Sequence, residues 1–181
     1  ISSDDLVNWT DHGEIPAAGP DGAATWAKNS WAPAITKKVI DGQDKFFLYF
    51  ANNGSNIGVL TSDSPVGPWT DPIGQPIISR DTPGIDGVPW IFDPAVLVDD
   101  DGTGYLYFGG GIPDEEYEMP NTARVIQLSD DMVHTVGEAK PIPAPFMFES
   151  GGINKYNGQY YYSYCSNFYT GERPAGVPGA G

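Results

Sequence analysis

Short apolar and aromatic runs alternate with polar, glycine-bearing turns along the chain, and the alternation repeats. An aromatic run occurs three times: Lys45-Phe46-Phe47-Leu48-Tyr49-Phe50, Gly104-Tyr105-Leu106-Tyr107-Phe108 and Gln159-Tyr160-Tyr161-Tyr162-Ser163-Tyr164. Runs of this length, rich in Phe and Tyr and bounded by turn residues, predict β-strands. A tight turn precedes each: Asp41-Gly42-Gln43, Asp101-Gly102-Thr103 and Asn157-Gly158. Asp-Gly and Asn-Gly pairs signal hairpins because both residues tolerate positive φ. Upstream of each turn lies a strand opener: Trp31-Ala32-Pro33-Ala34-Ile35, Asp93-Pro94-Ala95-Val96 and Glu149-Ser150-Gly151-Gly152-Ile153.

A further element recurs with these. Ser3-Asp4-Asp5-Leu6-Val7-Asn8-Trp9, Ser62-Asp63-Ser64-Pro65-Val66-Gly67-Pro68-Trp69 and Ser129-Asp130-Asp131-Met132-Val133-His134 read as versions of one strand exit and turn. Ile57-Gly58-Val59-Leu60 leads into the second and Arg124-Val125-Ile126-Gln127-Leu128 into the third. Each period therefore holds about four short strands, which predicts an all-β chain and a β-propeller. A β-sandwich with chance hairpins does not account for three ordered elements recurring together. No long stretch has helical periodicity.

The repeats do not begin and end with the chain. Ile1 falls just before the third element of a repeat, and the glycine-rich run Ala175-Gly176-Val177-Pro178-Gly179-Ala180-Gly181 follows only two strands of another. The count is two full repeats and two partial ones, whereas closing a propeller takes at least four blades. The expectation is that residues 1–181 form part of a propeller domain: the end of a first blade, a second and third blade, and the start of a fourth.

Composition narrows the partners. The 23 Gly and 17 Pro suit many short strands joined by turns. The net charge of −15 argues against nucleic acid and against anionic membrane surfaces. No apolar run approaches a membrane span. A neutral carbohydrate fits this surface. The sequence fixes neither the compartment, secreted or cytoplasmic, nor the oligomeric state. Cys165 is the single cysteine and cannot form an internal disulfide; within its aromatic strand it reads as a buried, inert thiol. Two His and one Cys argue against zinc. Asp99-Asp100-Asp101-Gly102 suggests calcium, but Thr103 and Gly110 stand where an EF-hand loop needs ligands, so a turn is expected there.

Two carboxylates occupy matching repeat positions, Asp93 and Glu149. Matching positions in successive blades converge on one axis, and converging carboxylates are what glycosidic hydrolysis requires. Trp90, Ile91 and Phe92 precede Asp93, and Phe146, Met147 and Phe148 precede Glu149. A carboxyl group among such neighbours is desolvated and holds its proton to higher pH, and a nearby negative charge adds to this. Glu149 has the longer reach and suits a general acid. Asp93 suits a charge that tunes Glu149 and orients it or a sugar hydroxyl. Trp31 occupies the Asp93 position one repeat earlier and would offer its indole face to a sugar ring. Trp90 and Phe92, beside Asp93, are further candidates for substrate binding, and Trp26 is a weaker one. Trp9 and Trp69, in the outer turns, read as packing residues.

The ordered set Trp31-Ala32-Pro33, Gly67-Pro68-Trp69-Thr70, Phe92-Asp93-Pro94 with Asp99-Asp100-Asp101-Gly102, and Glu149-Ser150-Gly151 with Tyr160-Tyr161-Tyr162 resembles glycoside hydrolase family 43 over nearly the whole chain. The resemblance implies a five-bladed β-propeller of the β-xylosidase, α-L-arabinofuranosidase and arabinanase type. It implies an inverting hydrolase with three acids: Asp93 matches the pKa-modulating, orienting aspartate, Glu149 the general acid, and Trp31 a tryptophan lining the sugar pocket. The general base is not matched; its expected place lies upstream of Ile1, so the chain by itself is expected to be inactive. No cofactor is required. The resemblance leaves room for a structural calcium on the propeller axis whose ligands do not lie in this chain. Removal of arabinofuranose or xylose from arabinoxylan-type polymers is the leading expectation. A five-bladed fructan- or sucrose-acting retaining hydrolase and a non-catalytic carbohydrate-binding propeller remain alternatives at this point.

Overall fold

A computed structural model describes residues 1–172; the glycine-rich run that closes the sequence lies outside the described residues. The described residues form antiparallel sheets and one short 3-10 turn. The first sheet holds β1 (Trp31–Ile40), β2 (Gln43–Asn52) and β3 (Asn56–Ser62) in chain order. The second holds β4 (Ala95–Val98), β5 (Gly104–Phe108), β6 (Arg124–Leu128) and β7 (Thr135–Pro141), again in chain order. The third pairs β8 (Met147–Tyr156) with β9 (Gln159–Ser166).

The turns behave as their sequences dictate. Asp41-Gly42 and Asn157-Gly158 both take positive φ at the two central positions, and the flanking residues pair as Ile40↔Gln43 and Tyr156↔Gln159. That is the two-residue hairpin whose twist matches the strands. Between β4 and β5 only Gly102 is left-handed, and the turn closes by hydrogen bonds from Gly102 N to Asp99 O and from Asp99 N to Thr103 O, both 2.9 Å. The third recurring element is a loop closed by a strand pair each time: Ser2↔Thr10, Thr61↔Thr70 and Leu128↔Thr135. Its serine and aspartate side chains accept from the loop's own amides, as Ser3 and Asp5 do from Leu6, Val7 and Asn8.

The first sheet does not complete a fourth strand; single bridges at Ile57↔Ile78 and Thr61↔Thr70 stand in its place. Pro65, Pro68, Pro72 and Pro76 fall in this stretch, and proline cannot donate to a ladder.

Burial follows the strand period. Phe47 and Tyr49 of β2, Ile57 and Val59 of β3, and Leu106 and Phe108 of β5 meet Ile126 and Leu128 of β6 in one core between the first two sheets. Ile77, Ile78, Ile85, Val88 and Ile91, from the connection between those sheets, fill the gap. Tyr49 donates its buried hydroxyl to Met132 O at 2.7 Å, so the loop before β7 is tied into this core. The other face of the first sheet, Leu48, Phe50 and Leu60, is covered by Ala17, Ala24, Ala27, Trp26 and Trp69. Ala123, Ala144 and Met147 seal the second sheet to the third, with Tyr162 and Tyr164 packed against them. Trp69 thus packs as expected, whereas Trp9 stands 53% exposed. Cys165 is also exposed, against the buried thiol expected: it lies on β9, a strand with β8 on one side and no second neighbour among the described residues.

Strands β1, β4 and β8 open their sheets and lie side by side. The heads of β4 and β8 meet through Asp93 and Ser150, and their far ends meet through Lys155, Asp99 and Asp100, so the two run the same way. At the head of the first sheet, Gly54 O accepts from Ile91 N at 2.9 Å; at its far end, Lys38 Nζ donates to Asp130 O at 3.1 Å. Neighbouring antiparallel sheets with their first strands adjacent and co-directional are successive blades of a propeller.

Candidate active site

Trp31, Asp93 and Glu149 stand at the same end of three adjacent inner strands. Trp31 is the first residue of β1, Asp93 lies just ahead of β4, and Glu149 is the third residue of β8. Each strand head contains a left-handed, non-glycine residue: Ala32 at φ 44°, Asp93 at φ 49° and Ser150 at φ 58°. Left-handed backbone at such residues is held only where the surrounding structure over-determines it, at about 1–3 kcal/mol each. Ladder register also shifts between Trp31 and Ala34 and on both sides of Glu149. Bulges of this kind re-aim side chains at strand ends.

Asp93 Oδ2 accepts a hydrogen bond from Ser150 N at 2.7 Å. The donor is the peptide that follows Glu149, so Asp93 grips the backbone carrying the second carboxylate. A hydrogen bond to a charged group stabilises by about 1.5–3 kcal/mol. Both acids are half-buried. Glu149 lies opposite Cys165 across the β8–β9 ladder. Gly151 follows two residues on along β8, where a Cβ would come 2.3 Å from the Tyr162 hydroxyl, so a side chain there would displace that ring. Burial pushes the Tyr162 phenol upward in pKa, and the charge of Asp93 adds to the shift.

Aromatic residues flank the acids. Trp90 is 39% exposed and meets Phe92 and Phe148 edge-on, with centroids 5.3 and 5.4 Å apart. Phe148 in turn meets Phe168 edge-on at 5.2 Å, and Phe168 is 75% exposed. Trp31 is 49% exposed. Phe92 is buried, so it props Trp90 rather than presenting a face of its own. Trp26 is held elsewhere: it stacks on Phe50 and donates from Nε1 to Asp71 at 2.7 Å. The loop after β5 rises beside the acids, with Gly111 N donating to Phe148 O at 2.8 Å and Gly109 N to Phe92 O at 3.0 Å. A Cβ at Gly110 would come 2.4 Å from Phe148 O, so glycine alone permits this approach.

The structure therefore brings Asp93, Glu149, Trp90 and Phe92 into one cluster and places Trp31 at the neighbouring strand head. In the sequence Phe148 stands out only as an apolar neighbour of Glu149, Gly151 and Tyr162 only as members of their motifs, and Phe168 not at all. The adjacency of Phe148 to Glu149 marks burial but not the aromatic contact with Trp90, and Tyr162 is one of three tyrosines with nothing to single it out. Among the described residues no group of three His, Cys, Asp or Glu side chains could hold a metal ion. The Asp99 turn instead binds Lys155, whose ammonium also meets Asp100 at 2.8 Å.

The sequence profile of glycosyl hydrolases family 43 matches residues 1–177. The arabinoxylan arabinofuranohydrolase of Bacillus subtilis (strain 168) is 61% identical across 98% of this chain, and the match covers 37% of that protein. The crystal structure of a family 43 arabinoxylan arabinofuranohydrolase from Bacillus subtilis, in complex with cellotetraose, superimposes with a TM-score of 0.92 at 60% identity, over 97% of this chain and 38% of that one. An α-L-arabinofuranosidase from Clostridium thermocellum superimposes with a TM-score of 0.80 at 46% identity, over 94% of this chain and 53% of that one. The chain thus spans about a third of the length of the first of these relatives. Three co-directional inner strands carrying Trp31, Asp93 and Glu149 at their heads, and a profile match over nearly every residue, have one common account: this chain belongs to glycosyl hydrolases family 43.

Proposed function

We propose that the chain forms part of the catalytic domain of an inverting glycosidase that removes arabinofuranose from arabinoxylan. The observation that carries this is the bond from Ser150 N to Asp93, which joins two carboxylate-bearing strand heads beside Trp90 and Phe148. Glu149 is the general acid that protonates the departing glycosidic oxygen. Asp93 is the orienting carboxylate, whose negative charge favours the protonated form of Glu149. Trp31 and Trp90 offer apolar faces to the sugar, and Phe92 supports Trp90. The water-activating base is assigned to the strand head that precedes β1 around the ring, at the wider carboxyl separation of about 6.5–9.5 Å that inversion uses. The ring itself is proposed to have five blades, of which this chain supplies the end of the first, the second and third, and the start of the fourth.

The names of the relatives support arabinofuranose over xylose as the released sugar. The test is an assay of the protein at the full length of its relatives on nitrophenyl α-L-arabinofuranoside, nitrophenyl β-D-xyloside and arabinoxylan. Release of arabinose from the polymer with inversion is the expected result. Release of xylose alone would reassign the sugar, and inactivity on all three with arabinoxylan still bound would make the site a binding cleft.

A further inference from the structure

One oxygen of Asp93 and the hydroxyl of Tyr162 each lack a hydrogen-bond partner among the described residues, and both side chains lie against the same stretch of β8, at Ser150 and Gly151. Asp93 uses Oδ2 for Ser150 N, and among the described residues nothing bonds its other oxygen. The Tyr162 hydroxyl is buried with no hydrogen-bond partner. Buried polar groups are nearly always satisfied, so an orphaned phenol beside a carboxylate calls for an explanation. The hydroxyl lies against Gly151, the residue after the one that Asp93 grips. Its ring is fixed from two sides, stacked on Tyr107 at 5.9 Å and packed on Tyr164 at 5.8 Å. The titratable groups around it are Asp93 from the head of β4, Tyr107 from β5, Tyr164 from β9 and, two residues from Gly151 on β8, Glu149.

Resting on the glycosidase reading above, we infer that Tyr162 is a positioning residue whose hydroxyl donates to Asp93 and holds that carboxylate in place beside Glu149. A phenol donor favours the ionised carboxylate. It also leaves Asp93 bonded on both oxygens, to the backbone of β8 through Ser150 and to the side chain of β9 through Tyr162. The carboxylate that tunes the acid is then clamped across the seam between two sheets. The closeness of the hydroxyl to β8 explains why residue 151 is glycine: any side chain would push the donor away.

The test is Tyr162→Phe in the protein at the full length of its relatives. The change removes one oxygen and keeps both ring contacts. Turnover on nitrophenyl α-L-arabinofuranoside should fall about tenfold, in kcat rather than KM, the effect of one hydrogen bond to a charged group. In an Asp93→Asn background, Tyr162→Phe should have no further effect. A loss confined to KM, or two losses that multiply independently, would each overturn the inference and leave the glycosidase reading intact. A readout independent of turnover is a crystal structure at neutral pH. It should show the Tyr162 hydroxyl within about 3 Å of Asp93; a longer separation overturns the inference whatever the activity.

Discussion

Glu149 is half-buried, and its carboxyl group has no hydrogen-bond partner among the described residues, which leaves it available to a leaving group. Glu149→Gln should lower turnover on arabinoxylan by about 10²–10⁴-fold. It should spare activated aryl arabinofuranosides more, since they leave with little protonation; equal loss on both would remove Glu149 from the acid role. Cys165 belongs to the same scale. Its thiol is exposed and lies across the ladder from Glu149, so a bulky group there would crowd the acid. In the protein at the full length of its relatives, alkylation with a maleimide should abolish turnover, bound arabinose should slow the loss, and Cys165→Ser should stay active and resist the reagent. An alkylated protein with full activity would place the thiol away from the cleft. The sequence suggested a buried cysteine because three tyrosines precede it within four residues. It could not show that β9 has no second neighbour among the described residues.

The repeating unit is legible at the level of elements because its signals are local. Asp41-Gly42 and Asn157-Gly158 dictate hairpins whatever surrounds them, and the aromatic strands β2, β5 and β9 follow directly. The strand heads were harder to read. Nothing local announces that Ala32, Asp93 and Ser150 are left-handed; that conformation is imposed by contacts between sheets. The connection between the first two sheets gives isoleucines and valines without a period, and only the gap they fill explains them. One contact between elements has its own pH dependence. Lys155, reaching from the end of β8, and Tyr160 from β9 both bond Asp99 and hold its carboxyl down to about 2. A carboxyl lowered by folding adds stability above its unfolded value near 4. That contribution disappears as pH falls from about 4 towards 2. Asp99 and Lys155 are half-buried, but Asp100 beside them stands in solvent, so screening keeps the effect small. In urea melts over this window the wild type should lose more midpoint than Lys155→Met; identical slopes would mean that the clamp contributes nothing.

At the scale of the whole molecule, the described sheets have two open flanks. On β1 the side chains of Ile35 and Val39 point outward, at 53% and 59% exposure, although both faces of β2 and β3 in the same sheet are packed. A proposed preceding blade would cover them. In the protein at the full length of its relatives, Ile35→Lys and Val39→Lys should then each cost about 1–3 kcal/mol in chemical denaturation. An unchanged midpoint would mean that this flank stays in water and that the ring is not built as proposed. The acidic balance of the sequence points away from nucleic acid, but composition alone names no sugar; the ordered motifs do that.

Asp93 belongs to one sheet and the peptide it grips to the next, with no covalent link nearer than the long way round through β5, β6 and β7. The pair is therefore a gauge of how two rigid bodies sit against each other. A slip of half an ångström at that joint leaves every strand intact, yet it detunes the acid. Heating should silence such a protein before it melts, with the rate decaying while circular dichroism still reports a native fold.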